Sequence, residues 1–250
     1  MIRVEGLVKT FGEKKVLTKV NCTINRGETF LIIGRSGAGK SVLLRSIVGL
    51  IKPDSGNIFI NGEDITALNK KQLRKVRENI GIVFQGNALL DFLSVEENVG
   101  FFLYQNTNIP RSEIRKKVRE TLGVVGLEGT ENLYPHELSG GMKKRVAIAR
   151  SIIYKPQIII YDEPTTGVDP IAVDKIVSLI EDLHKQFRIT SIIVTHDLQV
   201  GLTLADRLAF LLGGRIIFEG TKEQLRELKD ERIIQFMQGS SSGPIRESEV

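Results

Sequence analysis

Three short, largely apolar runs are the clearest feature of the hydrophobic pattern. They lie at residues 29–33, 158–161 and 191–194, and each is followed directly by polar or glycine-rich sequence. Runs of this length without polar alternation are typical of strands that are buried on both faces, as in a parallel sheet. Because segments with helical spacing alternate with these runs, the pattern predicts an α/β fold.

The remaining pattern predicts how the chain is organised. Asn61-Gly62 predicts a hairpin turn. Residues 86–156 are mainly helical in spacing, which predicts a helical lobe inserted into an α/β core lobe made of residues 1–85 and 157–238. The Gly- and Ser-rich ending predicts a flexible tail at 239–250. Helices are predicted at 42–50, 111–125, 143–153, 171–185, 198–205 and 223–238, and further strands at 208–212 and 215–219.

Residues 34–41 carry the strongest chemical signal. They read Gly-Arg-Ser-Gly-Ala-Gly-Lys-Ser and fit the phosphate-binding pattern Gly-x-x-x-x-Gly-Lys-Ser/Thr between a strand and a helix. Glycines let main-chain N–H groups turn towards phosphate oxygens, and the start of a helix favours an anion. Lys40 is expected to reach the β- and γ-phosphates, and Ser41 to bind Mg²⁺. The alternative is a glycine-rich turn without a ligand.

Polar residues follow the other two apolar runs. Asp162 and Glu163 come after the second run and His196 comes after the third. Since ligands bind at the carboxyl ends of strands in open α/β sheets, these residues are predicted to meet the phosphate loop. Asp162 suits a metal-holding role, Glu163 a general base, and His196 a contact to the γ-phosphate. The alternatives are a solvated strand end for the acidic pair and a helix-capping or packed histidine.

A glycine-rich helix start follows Leu138. Ser139 is a suitable N-cap, and Gly140 and Gly141 leave the main chain accessible. The cations of residues 143–145 oppose the helix dipole, which is easier to explain if an anion approaches this end. The alternative is a solvated basic helix face.

Together these motifs resemble the ATP-binding cassette ATPases over about residues 2–238. Gln85 matches the glutamine loop of that family, residues 166–169 match its aspartate loop, and Phe11 lies where an aromatic ring stacks on adenine. The resemblance implies a P-loop NTPase (RecA-like) core with an N-terminal antiparallel β subdomain and an inserted α-helical subdomain. It implies ATP and Mg²⁺ as cofactors, with Glu163, His196 and Gln85 as catalytic residues and Ser41, Gln85 and Asp162 at the metal. The residues it assigns to ATP are Phe11, Val16, Gly34, Arg35, Ser36, Gly37, Ala38, Gly39, Lys40, Ser41, Val42, Ser139, Gly140 and Gly141.

The resemblance also implies partners. In this family two cassettes bind ATP face to face, so Ser139, Gly140 and Gly141 would meet the γ-phosphate of ATP on the opposite copy. The region 86–104 is expected to receive a helix of an integral-membrane permease, with Leu89, Leu90 or Phe92 as contacts. The alternative for these apolar side chains is burial between the two lobes.

A narrower resemblance is to the ATPases of Mla-type, or MCE-type, lipid transport systems. It rests on residues 138–145, 162–171 and 236–245, which include Met142 where Gln is commoner in the wider family. It implies transport of phospholipids or other hydrophobic molecules between bacterial membranes, and lipid-carrier subunits in the same complex.

Composition and charge limit the classes of protein to which the chain can belong. The 250 residues are 41% hydrophobic and 26% charged, the net charge is +5, and Cys22 is the only cysteine. No run approaches the ~20 apolar residues of a membrane span. The resemblance implies a cytoplasmic location, peripheral to the inner membrane through the permease. Nucleic acid is not an expected partner. The alternative function is a soluble ABC ATPase without transport; a GTPase is disfavoured because Asn69-Lys70 lacks the following x-Asp.

Overall fold

The computed structural model describes residues 1–245. The chain divides into two compact units, one made of Met1–Glu78 with Arg188–Val250 and the other of Asn79–Phe187. The second unit includes more of the chain than the helical lobe predicted at 86–156, because two strands and a further helix belong with the inserted helices.

The elements follow in chain order. The strands are β1 (Ile2–Phe11), β2 (Lys14–Ile24), β3 (Thr29–Ile33), β4 (Ser55–Ile60), β5 (Glu63–Asp64), β6 (Ile80–Val83), β7 (Ile158–Asp162), β8 (Thr190–Val194), β9 (Arg207–Leu212) and β10 (Arg215–Thr221). The helices are α1 (Lys40–Ile47), α2 (Lys70–Arg77), α3 (Val95–Asn106), α4 (Arg111–Val124), α5 (Gly140–Ile152), α6 (Pro170–Phe187), α7 (Leu198–Leu204), α8 (Lys222–Glu227) and α9 (Glu231–Gln238).

The first unit contains an antiparallel sheet with strand order β2-β1-β4-β5. Asn61 and Gly62 connect β4 to β5 with φ of 53° and 87°, the left-handed conformation that a tight hairpin turn requires. The hairpin predicted at Asn61-Gly62 and the antiparallel β subdomain are therefore confirmed.

A second group of strands in this unit lies side by side in the order β10-β9-β3-β8. Strand β3 pairs parallel to both β8 and β9, and every residue of β3 and β8 is buried. The two apolar runs at 29–33 and 191–194 are therefore strands covered on both faces, as their hydrophobic pattern predicts.

In the second unit, β6 and β7 pair in parallel. Helix α5 contacts α3, α4 and α6, and its buried residues include Val146, Ala147 and Ile148. A side-chain amide organises the start of this bundle: Asn98 of α3 accepts from the N–H of Leu90 at 2.8 Å and donates to the carbonyls of Leu90, Leu93 and Ser94 at 3.0 Å each.

The C-terminal end of the first unit differs from the expected single helix at 223–238. Two helices, α8 and α9, occupy this range, and Asp230 begins α9 by accepting from the N–H of Arg232. The chain then folds back, since the Gln235 side chain accepts from the N–H of Ile245 at 2.7 Å. Part of the predicted tail thus contacts α9, and its flexibility stays a prediction; its last residues, 246–250, lie outside the described part. Within residues 1–245, no helix is both long enough and apolar enough to cross a membrane.

We expect Asn98→Ala to lower the free energy of unfolding by about 3 kcal/mol, because Asn98 is only 1% exposed and its loss removes four hydrogen bonds to partly buried main-chain groups. Urea denaturation measures this change. Asn106→Ala removes the hydrogen bond to the carbonyl of Phe102 at an exposed position on the same helix and should change the free energy by no more than ~0.5 kcal/mol. Equal effects of the two substitutions would contradict the assigned role of Asn98.

Candidate functional site

The loop at residues 34–41 connects β3 to α1 in the first unit. Gly39 precedes α1 with φ of 102°, and within residues 1–245 no side chain caps the first amides of this helix. The ammonium of Lys40 folds back over the loop, where it donates to the carbonyls of Gly34 at 2.7 Å and Arg35 at 2.8 Å. The loop thus combines a cation with an uncapped helix start, the two features that bind a phosphate group.

The edge of the antiparallel sheet touches this loop through Val16. A Cβ atom on Gly39 would lie 2.9 Å from the Val16 carbonyl oxygen, so the two segments are in direct contact. Phe11 lies at the end of β1, where it pairs with Lys14, and its ring is 48% exposed. The ammonium of Lys9 lies over this ring, 5.2 Å from its centroid, so a flat heteroaromatic base that stacks on the same face would displace this contact. The assignment of Phe11 and Val16 to adenine stays a prediction.

His196 lies at the same edge of the first unit as the phosphate loop. Strands β3 and β8 are parallel, and Ile32 pairs with Val194, so both chains leave the sheet on one side. The capping role considered for His196 belongs to Asp197, whose carboxylate accepts from the N–H of Val200 at 3.0 Å. His196 itself is exposed, which is compatible with a role towards a nucleotide.

The second unit brings Gln85, Asp162 and Glu163 together. Strands β6 and β7 are parallel with Val83 opposite Tyr161, so the residues that follow them emerge at one edge. Within each unit, the residues that follow two parallel strands therefore lie at a common edge. That the two groups serve one nucleotide stays a prediction of the sequence.

Lys144 of α5 connects the two loops of this edge. Its side chain is 2% exposed, and its ammonium donates to the carbonyls of Gln85 at 2.7 Å and Glu163 at 3.1 Å. Burial lowers the pKa of Lys144, and the charges of Glu163 and Asp162 oppose that shift. Sequence reasoning missed this residue, because a lysine in a run of cations gives no sign that it points inwards.

Glu163 is held at both its main chain and its side chain. Its φ is 53°, a left-handed conformation that costs a non-glycine residue ~1–2 kcal/mol. The hydroxyl of Thr166 donates to Glu163 Oε2 at 3.1 Å. The carboxylate therefore has a fixed direction, as a general base requires.

The start of α5 has the predicted cap, since Ser139 Oγ accepts from the N–H of Met142 at 3.2 Å. Gly141 is required by close packing, because a Cβ there would lie 2.9 Å from Ala172 Cβ. Two of the three cations that follow have internal partners: Lys144 binds two carbonyls, and Arg145 donates to the carbonyls of Val125 and Gly126. Lys144 and Arg145 therefore need no anion to account for their positions, and the approach of an anion to this helix start stays a prediction.

The donors predicted for Mg²⁺ are oxygens. Ser41, Gln85 and Asp162 offer a hydroxyl, an amide and a carboxylate, the ligand types that Mg²⁺ prefers, and such sites also use phosphate and water oxygens. The donor set therefore fits this ion. Among residues 1–245, no group of three or more His, Cys, Asp or Glu side chains could hold a metal by itself.

The apolar segment after Gln85 is partly exposed. Phe92 is 77% exposed, whereas Leu89 and Leu90 are half-buried. Phe92 lines a surface groove of about 350 Å³ together with Leu93, Phe101 and Tyr104. Phe92 is thus the best placed of the three predicted contacts, because its ring faces solvent.

The family model described as "ABC transporter" matches residues 17–166. The chain belongs to the ABC transporter ATPase family. It is therefore an ATP-hydrolysing, nucleotide-binding subunit with the P-loop NTPase fold, and the rival GTPase interpretation is excluded.

The chain is similar to curated proteins with different names. The chain is 40% identical to the intermembrane phospholipid transport ATP-binding protein MlaF of Haemophilus influenzae, over 98% of this chain and 93% of the relative. It is 41% identical to TRIGALACTOSYLDIACYLGLYCEROL 3 of Arabidopsis thaliana, over 98% and 76%. It is 43% identical to the methionine import protein MetN of Carboxydothermus hydrogenoformans, over 88% and 66%.

Solved structures support the same conclusion. A dimeric ATP-binding cassette in a post-hydrolysis state, bound to ADP and Pi, superimposes with a TM-score of 0.81 at 34% identity, over 88% of this chain and 98% of that one. A cassette of the cbiONQ transporter complex from Clostridium perfringens gives a TM-score of 0.82 at 38% identity, over 90% of each chain.

We expect Gly39→Ala to weaken ATP binding at least ~100-fold, or ~2.7 kcal/mol, because the new methyl group would press on Val16 and displace the phosphate loop. Isothermal titration calorimetry measures the affinity. Gly62→Ala is the matched control, since Gly62 has a similar φ of 87° but open space around its Cβ position. The control should lose stability without losing affinity; equal affinities for both variants would contradict the role of the loop.

Proposed function

We propose that this chain binds Mg²⁺·ATP through residues 34–41 and hydrolyses it with Glu163 as general base, to power lipid transport between bacterial membranes. The observation that carries the proposal is the double restraint on Glu163, by Lys144 at its carbonyl and Thr166 at its carboxylate. A carboxylate fixed in this way can accept a proton from a water molecule without first paying the entropy of ordering its side chain.

Each of the other residues has a defined task in this proposal. Lys40 and the amides of the phosphate loop hold the phosphates, and Phe11 stacks on adenine. His196 orients the attacking water and contacts the γ-phosphate. Ser41, Gln85 and Asp162 would hold Mg²⁺, which when bound neutralises phosphate charge.

Two copies of the chain are needed in this proposal. Ser139, Gly140 and Gly141 would complete the ATP site of the opposite copy. Support comes from the dimeric cassettes among the solved structures, one of which contains ADP and Pi. The main chain at Gly140 is exposed at the start of α5, where it is accessible to a ligand on another subunit.

The lipid cargo rests on the names of relatives rather than on the site. Both MlaF and TRIGALACTOSYLDIACYLGLYCEROL 3 match almost the whole chain, and the first of these names states phospholipid transport. We place the chain on the cytoplasmic side of the inner membrane, attached to a permease through the region 86–104, with lipid-carrier subunits in the same complex.

We expect Glu163→Gln to keep ATP affinity but slow hydrolysis by ~10²-fold or more, because an amide cannot take the proton from water. Steady-state phosphate release measures the rate. The variant should also accumulate an ATP-bound dimer that size-exclusion chromatography detects. Glu120→Gln, at an exposed position of α4, is the control and should behave as wild type. Near wild-type turnover by Glu163→Gln would move the base role to another residue, His196 first.

We expect Phe92→Glu to abolish co-purification with the co-expressed permease, because an unpaired charge in an apolar contact costs several kcal/mol. Folding and ATP binding of the isolated subunit should persist, since the side chain is exposed. Phe187→Glu changes another exposed phenylalanine of the same unit and should leave the complex intact. Recovery of the permease with Phe92→Glu would show that the groove beside α3 is not the docking surface.

A further inference from the structure

Lys144 is an unusual residue to bury. A lysine loses several kcal/mol of hydration when its ammonium leaves water, so such a position needs compensating hydrogen bonds. Here the compensation comes from two main-chain carbonyls, those of Gln85 and Glu163. An apolar side chain would fill the same space without this cost, so packing alone does not account for an ammonium here.

The two carbonyls belong to loops that begin where strands end, so the hydrogen bonds of the sheet do not hold them. Gln85 follows β6 and Glu163 follows β7, and the left-handed φ of Glu163 takes its main chain out of strand geometry. A donor that binds both carbonyls fixes the distance between the two loops. It also offsets the strain at Glu163, since hydrogen bonds from a charged donor are stronger than those from a neutral one.

The same helix holds the next part of the Gln85 loop. The guanidinium of Arg150 donates to the carbonyls of Asn87 at 2.7 Å and Ala88 at 2.6 Å. Both of these residues have left-handed φ, 62° and 50°. Helix α5 therefore holds three carbonyls of this loop, one through Lys144 and two through Arg150, and only Lys144 also reaches Glu163.

We propose that Lys144 is a positioning residue for ATP hydrolysis, which ties the general base Glu163 and the Gln85 loop to helix α5. This inference rests on the proposed function. Lys144 lies five residues after Ser139, so the helix carries it about 7.5 Å from its start. A displacement of the α5 start by ATP on the opposite copy would reach the carbonyls of Gln85 and Glu163 through this side chain.

The test is Lys144→Met, which keeps an unbranched side chain of similar length but removes the ammonium. We expect kcat for ATP hydrolysis to fall ~10- to 100-fold, as misplacement of a catalytic group by about 1 Å does. KM for ATP should stay within about threefold, because the phosphate loop is untouched. Lys144→Arg, which can donate to both carbonyls, should recover most of kcat. Lys116→Met, at an exposed position of α4, should match wild type.

A second measurement does not depend on turnover. Hydrogen exchange of the nucleotide-free protein should show faster exchange at amides 85–88 and 163–166 in Lys144→Met, with the helical amides of α6 unchanged. If Lys144→Met fails to fold, Lys144→Gln carries a weaker form of the test: its shorter, neutral amide cannot replace the ammonium at both carbonyls, so its kcat should lie below that of Lys144→Arg. Unchanged kcat together with unchanged exchange would overturn the proposal, and so would an equal loss in Lys144→Arg and Lys144→Met.

These outcomes separate the inference from the function on which it rests. A wild-type protein without ATPase activity would refute Glu163 as a working base, yet the exchange experiment would still decide whether Lys144 holds the two loops. An active wild type with a fully active Lys144→Met would refute only the positioning role.

Discussion

Hydrogen bonds from buried or half-buried cations to main-chain carbonyls hold the loops on which the candidate chemistry depends. Lys40 holds the phosphate loop, Lys144 and Arg150 hold the loop after β6, and Arg145 binds carbonyls at the end of α4. Loops at strand ends leave carbonyls that the sheet cannot pair, and burying them unpaired is costly. A cation with several donors can satisfy two carbonyls at once, which makes each loop a defined structure rather than a mobile connection.

This arrangement explains what the sequence could and could not predict. The strands β3, β7 and β8 are predictable because a strand that is buried on both faces has apolar residues at nearly every position. The polar residues that follow these runs include Lys40, Glu163 and His196. The role of Lys144 was not predictable. Three neighbouring cations in a helix are indistinguishable in the sequence, and only the fold separates the buried Lys144 from the half-buried Lys143 and Arg145.

The helix boundaries also show a limit of prediction from the sequence pattern. A helix at 223–238 was expected because helical spacing continues through the range, but the chain breaks at Leu228 and restarts at Asp230. An Asp before a charged first turn is a typical helix start, but periodicity alone cannot tell one helix from two that follow each other closely.

The segment between Gln85 and α3 is held at both ends, and this has a mechanical consequence. Arg150 binds the carbonyls of residues 87 and 88, and Asn98 binds both main-chain groups of Leu90. The exposed ring of Phe92 therefore lies on a short connection whose neighbouring residues are fixed to α5 and α3. A flexible loop would absorb a push at Phe92 by local rearrangement, because it has many conformations of similar energy. A connection held at both ends has few such alternatives, so a push at Phe92 would be passed to the helices that hold it, and α5 is also the helix that carries Lys144 to the carbonyl of Glu163.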